Sequence, residues 1–177
     1  GEIDYRGINA AMRSGKALKW KSKRDFERVS AAIEKAGKLP EGTRVYRGLH
    51  LSAEQKQAFI AQLAKQAESG EAVELSGLQS TSADPAVAAS FSRGGEQPVV
   101  LEIVAQSGAY LGDVSAFDIA ARKHNGTPEN EVLLPHGKRY RVIAVQQDVP
   151  IGKRGRKGSG YTVIQLEEVD AAFMSLR

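Results

Sequence analysis

The chain has 177 residues, 41 % hydrophobic and 26 % charged, the balance of one globular domain with a buried core and not of a disordered or fibrous chain. No apolar run approaches the roughly 20 residues that cross a bilayer as a helix, and the opening Gly1-Glu2-Ile3-Asp4-Tyr5 carries no apolar signal core, so a water-soluble domain is expected. The absence of cysteine excludes disulfides, thiol nucleophiles and thiolate metal sites, and the net charge of +4 gathers at Lys16, Lys19, Lys21, Lys23 and Arg24 and again at Lys153, Arg154, Arg156 and Lys157.

Those basic clusters would suit nucleic acid or an acidic partner, but no aromatics interleave with them as a base-stacking groove requires, and solvated faces explain them as well. Residues 1–177 read as a single domain, compatible with excision from a longer protein.

Tyr5, Ile8, Asn9 and Met12 share one stripe and predict a first helix over Tyr5 to Arg13. Ser22 is placed to cap a second, in which Phe26, Val29, Ile33 and Ala36 recur at helical spacing until Pro40-Glu41-Gly42 ends it. Thr43 to Leu49 is apolar and β-branched enough for a strand. Ser52 with Gln55 three residues on forms a capping box for a helix through Glu68, stopped by Gly70. Leu75 to Ser82 reads as a strand running into Asp84-Pro85, a cap followed by proline at the first helical position, with a short helix from Pro85 to Phe91.

From Pro98 the pattern turns to strands: Val99 to Ala105, Glu131 to Pro135, Arg139 to Val149 and Tyr161 to Val169. Ser107 to Pro128 reads as a long connection, and Gly152 to Gly160 as a hairpin loop. Helices first and strands later predict an α+β domain: two packed, mainly antiparallel β-sheets with N-terminal helices.

Several chemistries are absent. There is no Gly-rich dinucleotide fingerprint, no P-loop and no zinc-protease motif, and His50, His124 and His136 lack the spacing of metal ligands, so no metal is expected. Three other segments offer reactive groups. Arg47 stands inside an apolar strand pattern before Gly48, so its charge needs a partner; a structural carboxylate or a ligand pyrophosphate would serve, and the glycine admits a close approach.

Ser80, Thr81 and Ser82 alternate at the end of a strand, with Ser80 and Ser82 on one side and Thr81 on the other. Helix capping explains Ser82; Ser80 is placed to brace a carboxylate. Glu129 and Glu131 flank one residue, so a strand beginning at Glu129 would set both on one face about 6 to 7 Å apart. One carboxylate could then stabilise an oxocarbenium while the other orients a nucleophile, although such pairs are also ordinary solvated charges on an edge strand.

Val45-Tyr46-Arg47-Gly48-Leu49, Leu78-Gln79-Ser80-Thr81-Ser82 with its small-residue helix to Phe91, and Glu129-Asn130-Glu131-Val132-Leu133-Leu134-Pro135, in this order, resemble the R-S-E class of mono-ADP-ribosyltransferases, the cholera-toxin-like group. The resemblance covers about Tyr5 to Val145 and implies the ADP-ribosyltransferase fold with NAD consumed as substrate and no metal. It assigns Arg47 with Gly48 to the NAD pyrophosphate side, Ser80 to bracing the catalytic carboxylate, and Thr81 and Ser82 to the scaffold around it. Glu131 would stabilise the oxocarbenium, Glu129 would face the nucleophile, Phe91 would line the nicotinamide pocket, Arg93 would contact phosphate, and Tyr5 and Asn9 would touch the nucleotide.

Glutamate rather than glutamine at 129 is what members of the resembled group use on arginine, so the implied activity is protein-arginine ADP-ribosylation by a bacterial toxin or effector, secreted or delivered into a target cell. The implied partners are a target protein presenting an arginine and an inhibitor or immunity protein. Lys123 to Thr127 lacks the aromatic that some actin-directed members carry, which argues against actin as target. Transfer to nucleic acid, NAD hydrolysis, a non-catalytic NAD-binding or scaffold module, and a phage-particle setting are the other readings open to the sequence.

Overall fold

The computed structural model describes residues 20–75, 78–92, 97–112, 116–124, 126–151 and 160–170. The expected first helix with Tyr5 and Asn9, the Arg93 loop and most of the 152–160 hairpin lie outside the described residues, as do Lys16 and Lys19. Within them are four helices, α1 (Trp20–Ala36), α2 (Ala53–Ser69), α3 (Pro85–Ser92) and α4 (Ala116–Lys123). Eight strands accompany them: β1 (Arg44–Leu51), β2 (Val73–Glu74), β3 (Gln79–Ser82), β4 (Gln97–Val104), β5 (Ala109–Tyr110), β6 (Glu131–Leu134), β7 (Arg139–Val149) and β8 (Tyr161–Glu168).

The local signals act as their chemistry dictates. Ser52 Oγ accepts from the Gln55 N–H while the Gln55 side chain accepts from the Ser52 N–H, closing the capping box that starts α2. Gly70 ends that helix in the left-handed conformation, with φ 68°. Asp84 accepts from the Ala86 N–H at 2.9 Å and starts α3 just ahead of Pro85.

The strands form one sheet in the order β2-β7-β8-β4-β1-β3-β6-β5, antiparallel throughout except for the parallel pair β4 and β8. The α+β class is as expected, but the two sheets are continuous. They join through a single residue pair, Tyr46 with Ser82, between β1 and β3.

Alternation along the central strands buries both faces. Val45, Leu101, Ile103, Ile164 and Leu166 form one core, covered by Leu63, Phe59 and Ile60 of α2. Val100, Tyr161 and Val163 point the other way and meet Ala88 and Ala89 of α3, while α1 packs Val29 and Ile33 onto Leu78 and Leu133. Buried Glu168 ties the end of β8 to the turn after β4 by accepting from the Gln106 and Ser107 N–H groups at 2.6 and 2.8 Å.

Two expectations are corrected. The stretch 75–82 is not one strand, because ladder pairing of β3 starts only at Gln79 and the preceding Val73–Glu74 pairs with β7 at the far edge. The connection from Ser107 to Pro128 contains β5 and α4; elements of two and eight residues are too short for periodicity to stand out between Gly108 and Gly126.

Gly48 has a packing cause of its own. A Cβ there would collide with the Ala88 carbonyl oxygen, so α3 sits directly on β1 only because the side chain is missing. Gly48→Ala should therefore push α3 off the sheet and cost about 1–3 kcal/mol. The check is a urea unfolding curve with a lowered midpoint and unchanged slope.

Candidate functional site

Beyond Tyr46 the edge of β1 that faces β3 has no strand partner among the described residues, and the two strands diverge. The opening is a cleft of about 840 Å³. Its walls are β1 from Tyr46 to Leu51, β3 from Ser80 to Ser82, Gln55 of α2, Val87, Ala88 and Phe91 of α3, and the two glutamates 129 and 131. Pocket-sized concavities with a few convergent polar groups are where ligands bind.

Arg47 reaches across the gap and donates to the Ser80 carbonyl oxygen at 3.2 Å. Arg47 is half-buried and lines the cleft, where a planar guanidinium suits an anionic group. Ser80 Oγ donates to Glu131 Oε1 at 2.7 Å. Strand register makes this contact possible: Ser82 pairs with Glu131, which places Ser80 diagonally beside that carboxylate on the same face. Ser80 thus meets the Glu131 carboxylate directly.

The neighbouring hydroxyls serve the scaffold. Thr81 is buried and donates to the Val132 carbonyl at 2.6 Å, fastening β3 to β6. Ser82 Oγ donates to the Glu129 carbonyl and accepts from the Asp84 N–H, so one side chain ties the glutamate segment to the start of α3. Phe91 is 58 % exposed at the cleft rim, so it is not a core residue and its ring face is available to a ligand.

The condition under which a strand pleat would space the two glutamates is not met. Strand β6 begins at Glu131, and Asn130 adopts φ 47°, so the chain turns between the glutamates and the pleat does not fix their spacing. Both still line the cleft. Burial raises the Glu129 pKa above its ordinary value, and the nearby charges of Glu131 and Asp118 push it further the same way.

Of the residues predicted from sequence, Arg47, Gly48, Ser80, Thr81, Ser82, Phe91, Glu129 and Glu131 converge on this cleft, and Tyr5, Asn9 and Arg93 lie outside the described residues. The cleft also takes in His50, which carries no motif, and Gln55, legible in the sequence only as half of a capping box, and the backbone of its Glu129 turn is held by Asp118 of a helix that periodicity does not announce. Among the described residues, no group of three His, Asp or Glu is arranged to hold a metal ion.

The family model described as ADP-ribosyltransferase exoenzyme matches residues 1–169. The chain belongs to that family. Exoenzyme S from Pseudomonas aeruginosa, solved in complex with human 14-3-3 protein beta and bound to Carba-NAD, is similar over 97 % of this chain and 69 % of its own, at 26 % identity and TM-score 0.64. The Vis toxin of Vibrio splendidus, in complex with agmatine, shares the fold at 19 % identity and TM-score 0.58, over 95 % of this chain and 69 % of its own. The C3 exoenzyme of Clostridium limosum does so at 18 % and 0.64, over 94 % and 80 %. No curated protein sequence matches significantly.

This ADP-ribosyltransferase thus consumes NAD as a substrate. The cleft brings together a cation, Arg47, and two carboxylates, Glu129 and Glu131.

The raised pKa of Glu129 has a definite sign. A carboxyl whose folded pKa exceeds its unfolded value of about 4.3 favours folding when protonated, so wild-type stability falls as pH rises from there through the folded pKa. Glu129→Gln should melt higher than wild type at pH 7, and that gain should vanish as the pH is lowered to about 4. Thermal melts across this range provide the check.

Proposed function

We propose that this ADP-ribosyltransferase transfers ADP-ribose from NAD to arginine of a target protein, with release of nicotinamide. The observation that carries the reading is the pair of differently supported carboxylates in one cleft: Glu131 bound to Ser80, and Glu129 beside it with a raised pKa.

In this mechanism Arg47 takes the NAD pyrophosphate with its planar fork. The planar carboxamide of nicotinamide matches the polar backbone edge that β1 presents to the cleft, and Phe91 stacks on the ring. The bond between nicotinamide and ribose breaks with its electron pair leaving on nicotinamide, and positive charge develops at the ribose C1–O4 unit. Glu131, its orientation held by Ser80, accepts a hydrogen bond from the ribose 2′-hydroxyl and stabilises that charge electrostatically.

The acceptor guanidine then attacks C1. Free guanidinium has a pKa above about 12, so its proton must leave as the new C–N bond forms. Glu129 takes it, and a raised pKa makes it a better base than an ordinary surface carboxylate. Support at the level of fold comes from the Vis toxin, which binds agmatine, a small guanidino compound.

The setting we infer is a bacterial toxin or effector, secreted or delivered into a target cell, as the toxins and exoenzymes that share its fold suggest. The phage-particle setting finds no support among those structures. The target is then a protein that presents an arginine to the Glu129 side of the cleft.

Labelled NAD and agmatine test the reading. Wild type should label agmatine, and Glu131→Gln should lose roughly 10²–10³-fold in both labelling and nicotinamide release. Glu129→Gln should lose labelling while measurable nicotinamide release survives. Steady release with label found on nucleic acid, or on nothing, would replace arginine with another acceptor or with water.

A further inference from the structure

The turn that carries Glu129 is gripped from behind by one short helix. Asp118, in the first turn of α4 and only 1 % exposed, accepts from the backbone N–H of Glu129 at 2.8 Å and from that of Asn130 at 2.8 Å. A carboxylate buried this deeply is tolerated only where its oxygens are used, and here one oxygen serves each amide.

Four residues on, Arg122 donates to the Gly112 carbonyl at 2.7 Å and to the Tyr110 hydroxyl and Asn130 Oδ1 at 3.2 Å each. The Tyr110 hydroxyl in turn donates to Asn130 Oδ1 at 3.1 Å. Positions four apart share a helix face, so one face of α4 offers an anion to the backbone of the turn and a cation to its side chain. Gly112 is part of the fit, since a Cβ there would collide with the Tyr110 ring and hydroxyl.

The two carboxylates of the cleft therefore have separate supports. Glu131 is held by a side chain of β3, through Ser80. The Glu129 turn is held by α4, with Ser82 on its carbonyl, and Asn130 keeps φ 47°.

We propose that Asp118 is a positioning residue for acceptor transfer: it fixes the 129–130 turn so that Glu129 meets the incoming nucleophile, while NAD cleavage at Glu131 proceeds without it. The proposal rests on the reading of Glu129 as the acceptor-facing base. Its signature is an uncoupling of two readouts that a general loss of fold would lower together.

The test measures ADP-ribosyl-agmatine and nicotinamide in the same reaction for wild type, Asp118→Asn and Asn130→Ala, with melting curves on each. In Asp118→Asn the side-chain NH₂ faces one of the two backbone donors, so one of the two bonds is lost. The ratio of transfer to release should fall roughly 10–100-fold, the usual cost of removing a group that orients a reacting one, with release nearly unchanged and the agmatine KM raised.

Asn130→Ala leaves Asp118 intact but disfavours the left-handed φ, and should shift the ratio in the same direction. If Asp118→Asn does not fold, this second variant decides. With a wild type that labels agmatine, an unchanged ratio in the folded variants overturns the assignment to Asp118, and so does a parallel loss of both readouts. Failure of wild type to label agmatine overturns the acceptor reading and this proposal with it.

Discussion

Everything in the site follows from the place where the sheet stops closing. β1 and β3 share one residue pair and then part. In a continuous ladder, the backbone edge of β1 would be used up in pairing with β3 and no gap would open beside Arg47. Because the strands diverge, the cleft opens at the seam between the two halves of the sheet, with a guanidinium reaching over it to the Ser80 carbonyl.

The seam needs rigid flanks, and both are built from close approach. On one side Gly48 lets α3 rest its backbone on β1. On the other, Thr81 and Ser82 fasten β3 to β6 and to the glutamate turn through side-chain bonds to carbonyls. A charge-assisted bond such as that between Ser80 and Glu131 keeps its value only if neither partner can wander, and the β3–β6 ladder supplies that restraint.

The sequence carried the site better than it carried the path of the chain. Arg47 and Glu131 are legible as charges beside apolar strand positions, and Ser80 by its alternation with Thr81 and Ser82, because phase survives folding. The capping box of α2 and the proline start of α3 are legible because they are local. Strand pairing is not local: nothing near Val73 announces that its partner is Tyr140, and nothing near Tyr46 says that pairing with β3 lasts one residue. The course of the chain at Glu129 is hidden for a related reason. The left-handed Asn130 that lifts it out of the strand is held by Asp118, Arg122 and Tyr110, groups that only the fold brings together.

The parallel pairing of β8 with β4 bears on when the molecule becomes active. The strands that bear the site are all complete by Leu134, yet β8 slots between β7 and β4 near the middle of the sheet and ends at Glu168. Until that strand has been synthesised, β4 has no neighbour on one side and the core formed by Ile164 and Leu166 is missing. Domains fold as units during synthesis, and central non-local pairings form late. A growing chain can thus carry Arg47, Ser80 and both glutamates and still lack the framework that holds them until β8 has taken its place in the sheet.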